Sequence, residues 1–231
     1  MSSEKLNVSV VLLTKNEEHN IDACLGSCSF AKEIIVVDDE STDGTVAKAK
    51  AFGAKVFTRA LAGNWGEQQT FAISKASCEW VFLIDADERV SPLLAQNLAK
   101  TLEQNPQKAF WIQRENHYNS GRKAHGILRP DWVMRLLPRE GARVEGQVHP
   151  TICSPFPQEK LSGHLIHFPY RNWEAYFRKF EKYTTLSAEK YESQGKHCGF
   201  VNGIIIKPLW AFLKVYFFNL GFLDGKIGWT L

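Results

Sequence analysis

The sequence contains neither of the glycine-rich motifs that hold phosphate groups on backbone N–H donors. Its 16 glycines form no Gly-x-Gly-x-x-Gly turn and no P-loop. The first motif is typical of dinucleotide-binding oxidoreductases and the second of ATPases. Their absence argues against both classes, and any phosphate that the protein binds is expected to be held in another way.

Cysteine pairs, net charge and long apolar runs are also lacking. The five cysteines are an odd number without zinc-ligand spacing, which indicates neither a disulfide framework nor a zinc site and fits a reducing cytosol. The net charge of +3 is too small to indicate nucleic-acid binding. Residues 1–6 do not resemble a signal peptide, and no run reaches the uncharged apolar length of a membrane span. We therefore expect a cytoplasmic protein.

The composition is that of a globular chain with unevenly distributed charge. Of the 231 residues, 44% are hydrophobic and 23% are charged, which suffices for a full core in one large domain or slightly more. Residues 160–231 contain ten Lys or Arg against five Asp or Glu, whereas residues 1–159 contain 18 against 20. A mildly acidic front part is therefore joined to a basic back part.

Short β-branched apolar runs alternate with helical patterns in the front part. The runs have no polar side, as is typical of strands buried on both faces of a parallel sheet. They lie at residues 8–13, 33–37, 55–57 and 80–84, and helical patterns lie at residues 20–28, 45–52 and 69–76. This alternation predicts an α/β fold with a Rossmann-like, mostly parallel sheet and flanking helices.

The back part is helical and rich in aromatic residues. Residues 173–194 place aromatic side chains at the spacing of one helix face. Residues 204–223 are mostly apolar but include Lys207 and Lys214. These lysines make the segment too charged to span a bilayer and suit it to the interface of an anionic membrane leaflet. The alternative is a core helix that packs on the rest of the protein.

Two carboxylates directly follow the strongest strand pattern. Asp85 and Asp87 come after residues 80–84, at the strand end where open α/β sheets bind ligands. No lysine or histidine neighbours them in the sequence, so they suit a hard divalent cation that carries phosphate. The alternative is an acidic first turn of the helix that opens at Ser91.

A second acidic pair, Asp38 and Asp39, follows the strand at residues 33–37. A carboxylate in this place accepts hydrogen bonds from a ribose hydroxyl or a base N–H. The alternative is turn formation before residues 41–44, in which Asp38 or Asp43 bonds the local backbone. Two acidic strand ends without a glycine cradle favour a diphosphate held through a metal.

These stretches resemble glycosyltransferase family 2, which has the GT-A fold. The resemblance is carried by residues 14–18 (TKNEE), 37–45 (VDDESTDGT) and 85–88 (DADE). A narrower resemblance is to the branch that contains bacterial lipopolysaccharide core β-glycosyltransferases. It is carried by residues 64–72, 148–149, 179–183 and 221–228.

The resemblance implies roles for particular residues. Asp39 would contact the uracil or ribose of a UDP-sugar, and Asp85 would lie near the ribose and donor sugar. Asp87 would hold magnesium or manganese at the diphosphate. Further residues implied to line the nucleotide pocket are Thr14, Glu17, Gln68 and Lys15.

An inverting enzyme of this family needs one general base for the acceptor hydroxyl. The acids that follow the Asp-x-Asp motif are Glu115, Asp131, Glu140 and Glu145. Glu145 is our choice, because it precedes His149 in the region where the fold usually carries its base. Pro150 stands where many relatives have an acid, so the chain departs from the family pattern directly after His149.

Histidines and arginines of the later strands are further candidates. His149 and His167 are candidate contacts of the metal or diphosphate, and His167 fits that role better than His164. Arg129 and Arg135 are candidates for phosphate or an anionic acceptor. Each of these side chains has an alternative as a packed, hydrogen-bonded or ion-paired structural group.

The resemblance also implies an organisation and a function. Residues 1–105 would bind the nucleotide sugar, residues 106–170 would form the acceptor side, and residues 171–231 would form a helical segment in contact with the membrane surface. The expected activity is metal-dependent, inverting transfer of glucose from UDP-glucose to the lipopolysaccharide inner core. The enzyme would act peripherally at the cytoplasmic face of the bacterial inner membrane.

Two alternatives remain open at this point. Either the acceptor is another cell-envelope glycan or lipid-linked molecule, or the protein is an inactive scaffold that binds nucleotide sugars. A sugar-nucleotide pyrophosphorylase would need a basic, glycine-rich loop after the first strand, and residues 14–18 are acidic instead.

Overall fold

The structure, a computed structural model, describes residues 5–118, 120–146, 150–170, 172–195 and 199–230. The chain forms two compact units. Unit 1 comprises Met1–Arg114 and Asp131–His167, and unit 2 comprises Glu115–Pro130 and Phe168–Leu231. The three-part division with boundaries after residues 105 and 170 stays a prediction.

The centre of unit 1 is an eight-stranded sheet with the order β3-β2-β1-β4-β7-β6-β10-β5. Strands β1, β2, β3 and β4 are parallel, β7 is antiparallel to β4 and β6, and β5 is antiparallel to β10. A separate antiparallel ribbon is formed by β8 and β9. The strands are β1 Leu6–Thr14, β2 Ala31–Asp38, β3 Lys55–Thr58, β4 Trp80–Asp85, β5 Glu88–Val90, β6 Ala109–Asn116, β7 Asp131–Pro138, β8 Arg143–Glu145, β9 Thr151–Cys153 and β10 Gln158–His167.

Helices cover both faces of this sheet. Those of unit 1 are α1 Ile21–Ser27, α2 Thr45–Ala51, α3 Trp65–Ser74 and α4 Pro92–Gln104. Val10 of β1 belongs to the same buried cluster as Leu25 of α1 and Leu94 of α4. The next residue, Val11, belongs to a second cluster with Ala72 of α3. Because both faces are buried, the strand needs apolar residues at successive positions, and the predicted α/β fold is confirmed.

Two helix boundaries show how local sequence sets the elements. The helix predicted at residues 69–76 begins earlier, at Trp65 of α3, where the Asn64 side chain accepts the backbone N–H of Glu67 at 3.1 Å. Helix α4 begins as predicted, with the Ser91 side chain capping it and Pro92 in its first turn. Such caps satisfy N–H groups that the first helical turn leaves unpaired.

Unit 2 contains the longest helix of the described residues and most of their large exposed apolar side chains. Helix α5 spans Trp173–Ser193, and α6 spans Lys207–Leu213 between the π-helical turns Val201–Ile206 and Lys214–Phe218. Short 3-10 helices form at Gly126–Leu128 and Gly221–Asp224, and α7 spans Lys226–Thr230.

The segment Val201–Phe218 is long and apolar enough to cross a membrane, by length and composition alone. In the part of the chain that the structure describes it is the one helix of that kind, and none of it is buried. The expectation that Lys207 and Lys214 make this segment too charged to span a bilayer therefore needs correction. Two lysines in 18 residues remain within the composition of a membrane span.

The carboxylate of Asp224 joins two parts of unit 2 that are distant in sequence. It accepts the backbone N–H of His125 at 2.8 Å and the Tyr118 hydroxyl at 3.0 Å, and its other oxygen lies 2.9 Å from Nδ1 of His125. The Asp224 residue is only 2% exposed. Asp224 thus fixes the segment Glu115–Pro130 on the turn that precedes α7.

Candidate active site

The carboxyl ends of β1, β2 and β4 meet at one edge of the sheet. Thr14 is paired in register with Asp38, and Leu13 is paired with Asp85. The backbone N–H of Asp39 donates to the carbonyl of Thr14 at 2.8 Å. The sheet therefore brings together both acidic strand ends that the sequence singled out.

The two acids after β2 have different environments. Asp38 is buried, and its carboxylate accepts the backbone N–H of Ser41 at 2.8 Å and the Ser41 hydroxyl at 2.5 Å. Asp43 accepts the backbone N–H groups of Thr45 at 3.0 Å and Glu18 at 3.2 Å. The alternative of turn formation is thus confirmed for Asp38 and Asp43, and Asp39 remains the candidate for the nucleotide.

Asp39 is held from two sides. Its Oδ2 accepts from Lys15 Nζ at 2.8 Å, and its Oδ1 accepts the backbone N–H of Leu61 at 2.8 Å. Burial opposes the charge, but these two hydrogen bonds outweigh it and hold the pKa of Asp39 below its ordinary value. Each carboxylate oxygen retains a second lone pair for a ligand.

The hydroxyl of Thr14 is buried at the same edge. Among the described residues, Thr14 Oγ1 and Gln69 Oε1 are buried without a hydrogen-bond partner. Buried polar atoms are nearly always hydrogen-bonded in native proteins. A ligand or ordered water at this edge would satisfy Thr14, in agreement with its predicted place in the nucleotide pocket.

Glu17 and Gln68 contact neighbouring side chains. Glu17 accepts from the Asn20 amide at 2.8 Å, and Asn20 Oδ1 in turn accepts from Arg89 at 2.9 Å. Gln68 is buried, and its amide accepts from the Arg59 side chain at 2.8 Å and donates to the Arg59 carbonyl at 2.5 Å. Gln68 therefore fixes Arg59, which follows β3 at the same edge of the sheet.

Asp85 contacts a buried arginine from a neighbouring strand. Nη2 of Arg135 lies 2.5 Å from Oδ2 of Asp85 and 2.7 Å from Oε1 of Glu88. Burial disfavours the cation, but the Asp85 and Glu88 carboxylates raise the pKa of Arg135 above its ordinary value. Arg135 is therefore a permanent cation in an ion pair. This is the structural alternative that the sequence analysis gave beside a contact with phosphate or an anionic acceptor.

Asp87 lies beside His167. Nε2 of His167 is 3.3 Å from Oδ2 of Asp87, and the two side chains are 12% and 24% exposed. Within the described ranges no group of three or more His, Cys, Asp or Glu residues is suited to hold a metal ion. A cation here would be coordinated by Asp87 Oδ2 and His167 Nε2, and its other ligands would come from a substrate or water.

Two of the candidate bases, Glu145 and Asp131, lie in unit 1. Glu145 is exposed on the β8–β9 ribbon and accepts from Arg143 Nε at 2.8 Å. Asp131 accepts from Arg114 in a two-point contact, at 3.0 and 2.6 Å. His149 lies outside the described residues.

Sequence reasoning assigned no role of its own to Glu88 or Arg89. Glu88 is fully buried, and Arg89 Nη1 donates to the carbonyls of Ala86 and Glu88 at 2.7 and 2.8 Å. One signal was present in the sequence, because Arg135 is the one charged residue of the otherwise apolar run at residues 132–137. Such a residue in a buried strand requires a carboxylate partner.

Residues 9–158 match the domain described as Glycosyl transferase family 2. This match covers more than half of the chain and includes every acidic strand end described above. The chain belongs to glycosyltransferase family 2. Its members transfer sugars, and the protein is therefore a glycosyltransferase.

Curated relatives of this glycosyltransferase are similar over nearly its full length. It is 30% identical to the lipopolysaccharide core biosynthesis glycosyltransferase LpsC of Rhizobium meliloti, over 97% of this chain and 88% of LpsC. It is also 30% identical to an uncharacterized glycosyltransferase of Rickettsia typhi, over 96% of this chain and 80% of that protein.

Solved structures agree on the fold. TarS 1-349 of S. aureus is 16% identical and superposes with a TM-score of 0.50, covering 70% of this chain and 60% of that one. This likeness concerns the fold alone. The predicted GT-A architecture of the glycosyltransferase is confirmed.

Proposed function

We propose that this family 2 glycosyltransferase transfers glucose from UDP-glucose to the inner core of lipopolysaccharide, with inversion and with a divalent cation. The observation that carries the proposal is the convergence of Thr14, Asp39 and Asp85 at one sheet edge, with Asp87 on the turn that follows. The similarity to LpsC supports the acceptor class.

The roles of the donor-site residues follow from their surroundings. Asp39, kept anionic by Lys15 and the Leu61 N–H, accepts from the uracil N–H or a ribose hydroxyl. Asp85, whose side chain is 43% exposed, accepts from a hydroxyl of the ribose or donor sugar. Thr14 and Glu17 complete the nucleotide pocket.

Asp87 and His167 fit a magnesium or manganese ion. Neighbouring ligands of an octahedral ion with bonds of about 2.1 Å lie about 3 Å apart, close to the observed 3.3 Å between Asp87 Oδ2 and His167 Nε2. When bound, the cation neutralises charge that develops on the departing diphosphate. Its remaining ligands would be diphosphate oxygens and water.

Transfer is a single displacement at the anomeric carbon. The acceptor hydroxyl oxygen forms the new C–O bond while the bond to the β-phosphate oxygen breaks, and UDP leaves with that electron pair. We assign the acceptor proton to Glu145, which would have to leave its contact with Arg143. General base catalysis of this kind contributes about 10²- to 10⁴-fold.

Unit 2 supplies the surface that suits a lipid-linked acceptor. No residue of the helix Val201–Phe218 is buried, and its exposed side chains include Trp210, Phe218, Lys207 and Lys214. Exposed apolar surface beside lysines favours an anionic membrane surface. We therefore place the enzyme at the cytoplasmic face of the inner membrane, with this helix as its contact.

The test is transfer from a panel of UDP-sugars to purified truncated lipopolysaccharide, with manganese, magnesium or a chelator. We expect turnover with one donor, its loss on chelation, and its loss in Asp87→Ala. Product analysis gives the anomeric configuration. Turnover only with a different lipid-linked glycan would move the acceptor to another cell-envelope molecule. UDP binding without turnover with any acceptor would favour a nucleotide-sugar-binding scaffold.

A further inference from the structure

The turn that carries Asp85 and Asp87 is fixed by a buried carboxylate and a buried guanidinium. Oε2 of Glu88 accepts the backbone N–H of Asp85 at 3.0 Å, and Oε1 of Glu88 accepts from Nη2 of Arg135 at 2.7 Å. The same Nη2 holds Oδ2 of Asp85 at 2.5 Å. Glu88 therefore fixes the backbone of Asp85 directly and its side chain through Arg135.

This arrangement is unfavourable as packing alone. Glu88 is fully buried and Arg135 is 5% exposed. Removing both charges from water costs as much as, or more than, their attraction returns, and apolar residues of similar volume often stabilise a core better. The neighbours of Arg135 in β7 include Met134, Leu136 and Leu137, so apolar residues fill the adjacent positions of this strand. A role other than packing would account for an ion pair at this position.

Asp85 and Asp87 differ in the groups that face them. Asp85 faces a permanent cation that occupies one of its oxygens, whereas Asp87 faces His167. A carboxylate already compensated by an arginine attracts a divalent cation less strongly. Its second oxygen instead remains as an acceptor of fixed orientation, on a side chain that is partly exposed.

We propose that Arg135 and Glu88 are positioning residues of the donor site. They hold Asp85 so that its second oxygen accepts from a hydroxyl of the donor sugar, and they direct the divalent cation to Asp87. This inference rests on the proposed function, because it assigns these two residues to the same donor. Fixed orientation of acceptors and donors is how such a site favours the reacting geometry.

The test compares Arg135→Met/Glu88→Gln with wild type. The paired change leaves no uncompensated buried charge, and the amide oxygen introduced by Glu88→Gln is still able to accept the Asp85 N–H. We expect kcat/KM with the active UDP-sugar to fall about 10- to 100-fold, with the Kd of UDP in the presence of manganese changing less than about threefold. Glu33→Gln, which removes a buried carboxylate at the opposite edge of the sheet, is the matched control and should keep wild-type kcat/KM.

A double-mutant cycle with Asp85→Asn separates positioning from a general loss of structure. If Arg135 and Glu88 act through Asp85, the paired change should add less than about threefold in the Asp85→Asn background. The inference is overturned if the losses multiply, if kcat/KM stays at the wild-type value, or if UDP affinity falls by the same factor as kcat/KM.

A crystal structure of the paired variant keeps the inference testable if the wild type transfers no sugar. Failure of the wild type with every donor would refute the proposed function. In the variant structure, a displaced Asp85 side chain supports the positioning role, and an unchanged Asp85 carboxylate overturns it.

Discussion

Nε2 of His167 lies 3.3 Å from Oδ2 of Asp87, and strand pairing brings the two together. His167 is the last residue of β10 and is in register with Glu88 of β5, the residue directly after Asp87. A slip by one residue would turn the histidine to the other face of the strand. The candidate metal pair therefore depends on the register of the shortest strand in the sheet.

His167→Ala should weaken metal-dependent UDP binding. The substitution removes one of the two protein ligands, so we expect the manganese-dependent part of the UDP affinity to fall about 10- to 100-fold. Calorimetric titration of UDP with and without manganese measures this. His164→Ala, in the same strand, is the control. Equal loss of affinity in both variants would show that β10 is disturbed rather than a ligand removed.

Glu145→Gln should lower kcat without affecting donor binding. Gln cannot take the acceptor proton, so kcat should fall about 10²- to 10⁴-fold while the Kd of UDP stays within about twofold. Arg143→Ala is the paired control, since it frees Glu145 without removing the carboxylate and should leave kcat within a few-fold. An active Glu145→Gln enzyme would place the base elsewhere, and Asp131 would be examined next.

Glu33→Gln should destabilise unit 1 in a pH-dependent way. Burial disfavours the charge of Glu33, but hydrogen bonds from Lys55, Ser9 and Ser77 outweigh it and lower the pKa from 4.5 to about 2. A lowered folded-state pKa stabilises above pH 4.5, and this contribution is lost as the pH falls towards 2. A shift of this size corresponds to roughly 3 kcal/mol.

The measurement is urea unfolding of wild type and Glu33→Gln between about pH 3 and 8. The difference in unfolding free energy should be largest near neutral pH and should shrink below about pH 4.5. A difference that is independent of pH would mean that packing, rather than the ionised carboxylate, accounts for the loss.

Gly228→Ala should destabilise unit 2. A Cβ at Gly228 would lie 1.8 Å from the backbone oxygen of Gly221, so α7 or the preceding turn would have to move. Overpacking of this kind costs about 1–3 kcal/mol or more. Limited proteolysis measures it, and Gly199→Ala is the control because nothing lies within 4 Å of its Cβ position. Equal protease resistance of the two variants would contradict the expectation.

The central strands and their acidic ends were predictable because their signals are local. The β-branched runs of β1, β2 and β4 are continuous in the sequence, and Asp39, Asp85 and Asp87 follow them directly. The start of α3 was missed because residues 64–69 are polar, although Asn64 is a favourable N-cap.

Contacts between distant strands were not predictable in the same way. Arg135 meets Asp85 only because β7 runs antiparallel beside β4, with Phe82 paired to Leu136. The register of two strands separated by a long segment is set by the whole sheet. The contact between His167 and Asp87 also depends on strand register. His167 was predicted as a ligand from the sequence, but its contact with Asp87 was not.

The contacts of Asp224 affect the order in which parts of the chain fold. Its contacts with His125 and Tyr118 span 99 and 106 residues. During synthesis, β1 and β2 emerge early and pair locally, whereas the segment Glu115–Pro130 waits until the ribosome has passed residue 224. Contacts of such long separation form slowly. Unit 2 is therefore expected to reach its native state after unit 1, and its apolar helix is accessible to chaperones or lipid until it does.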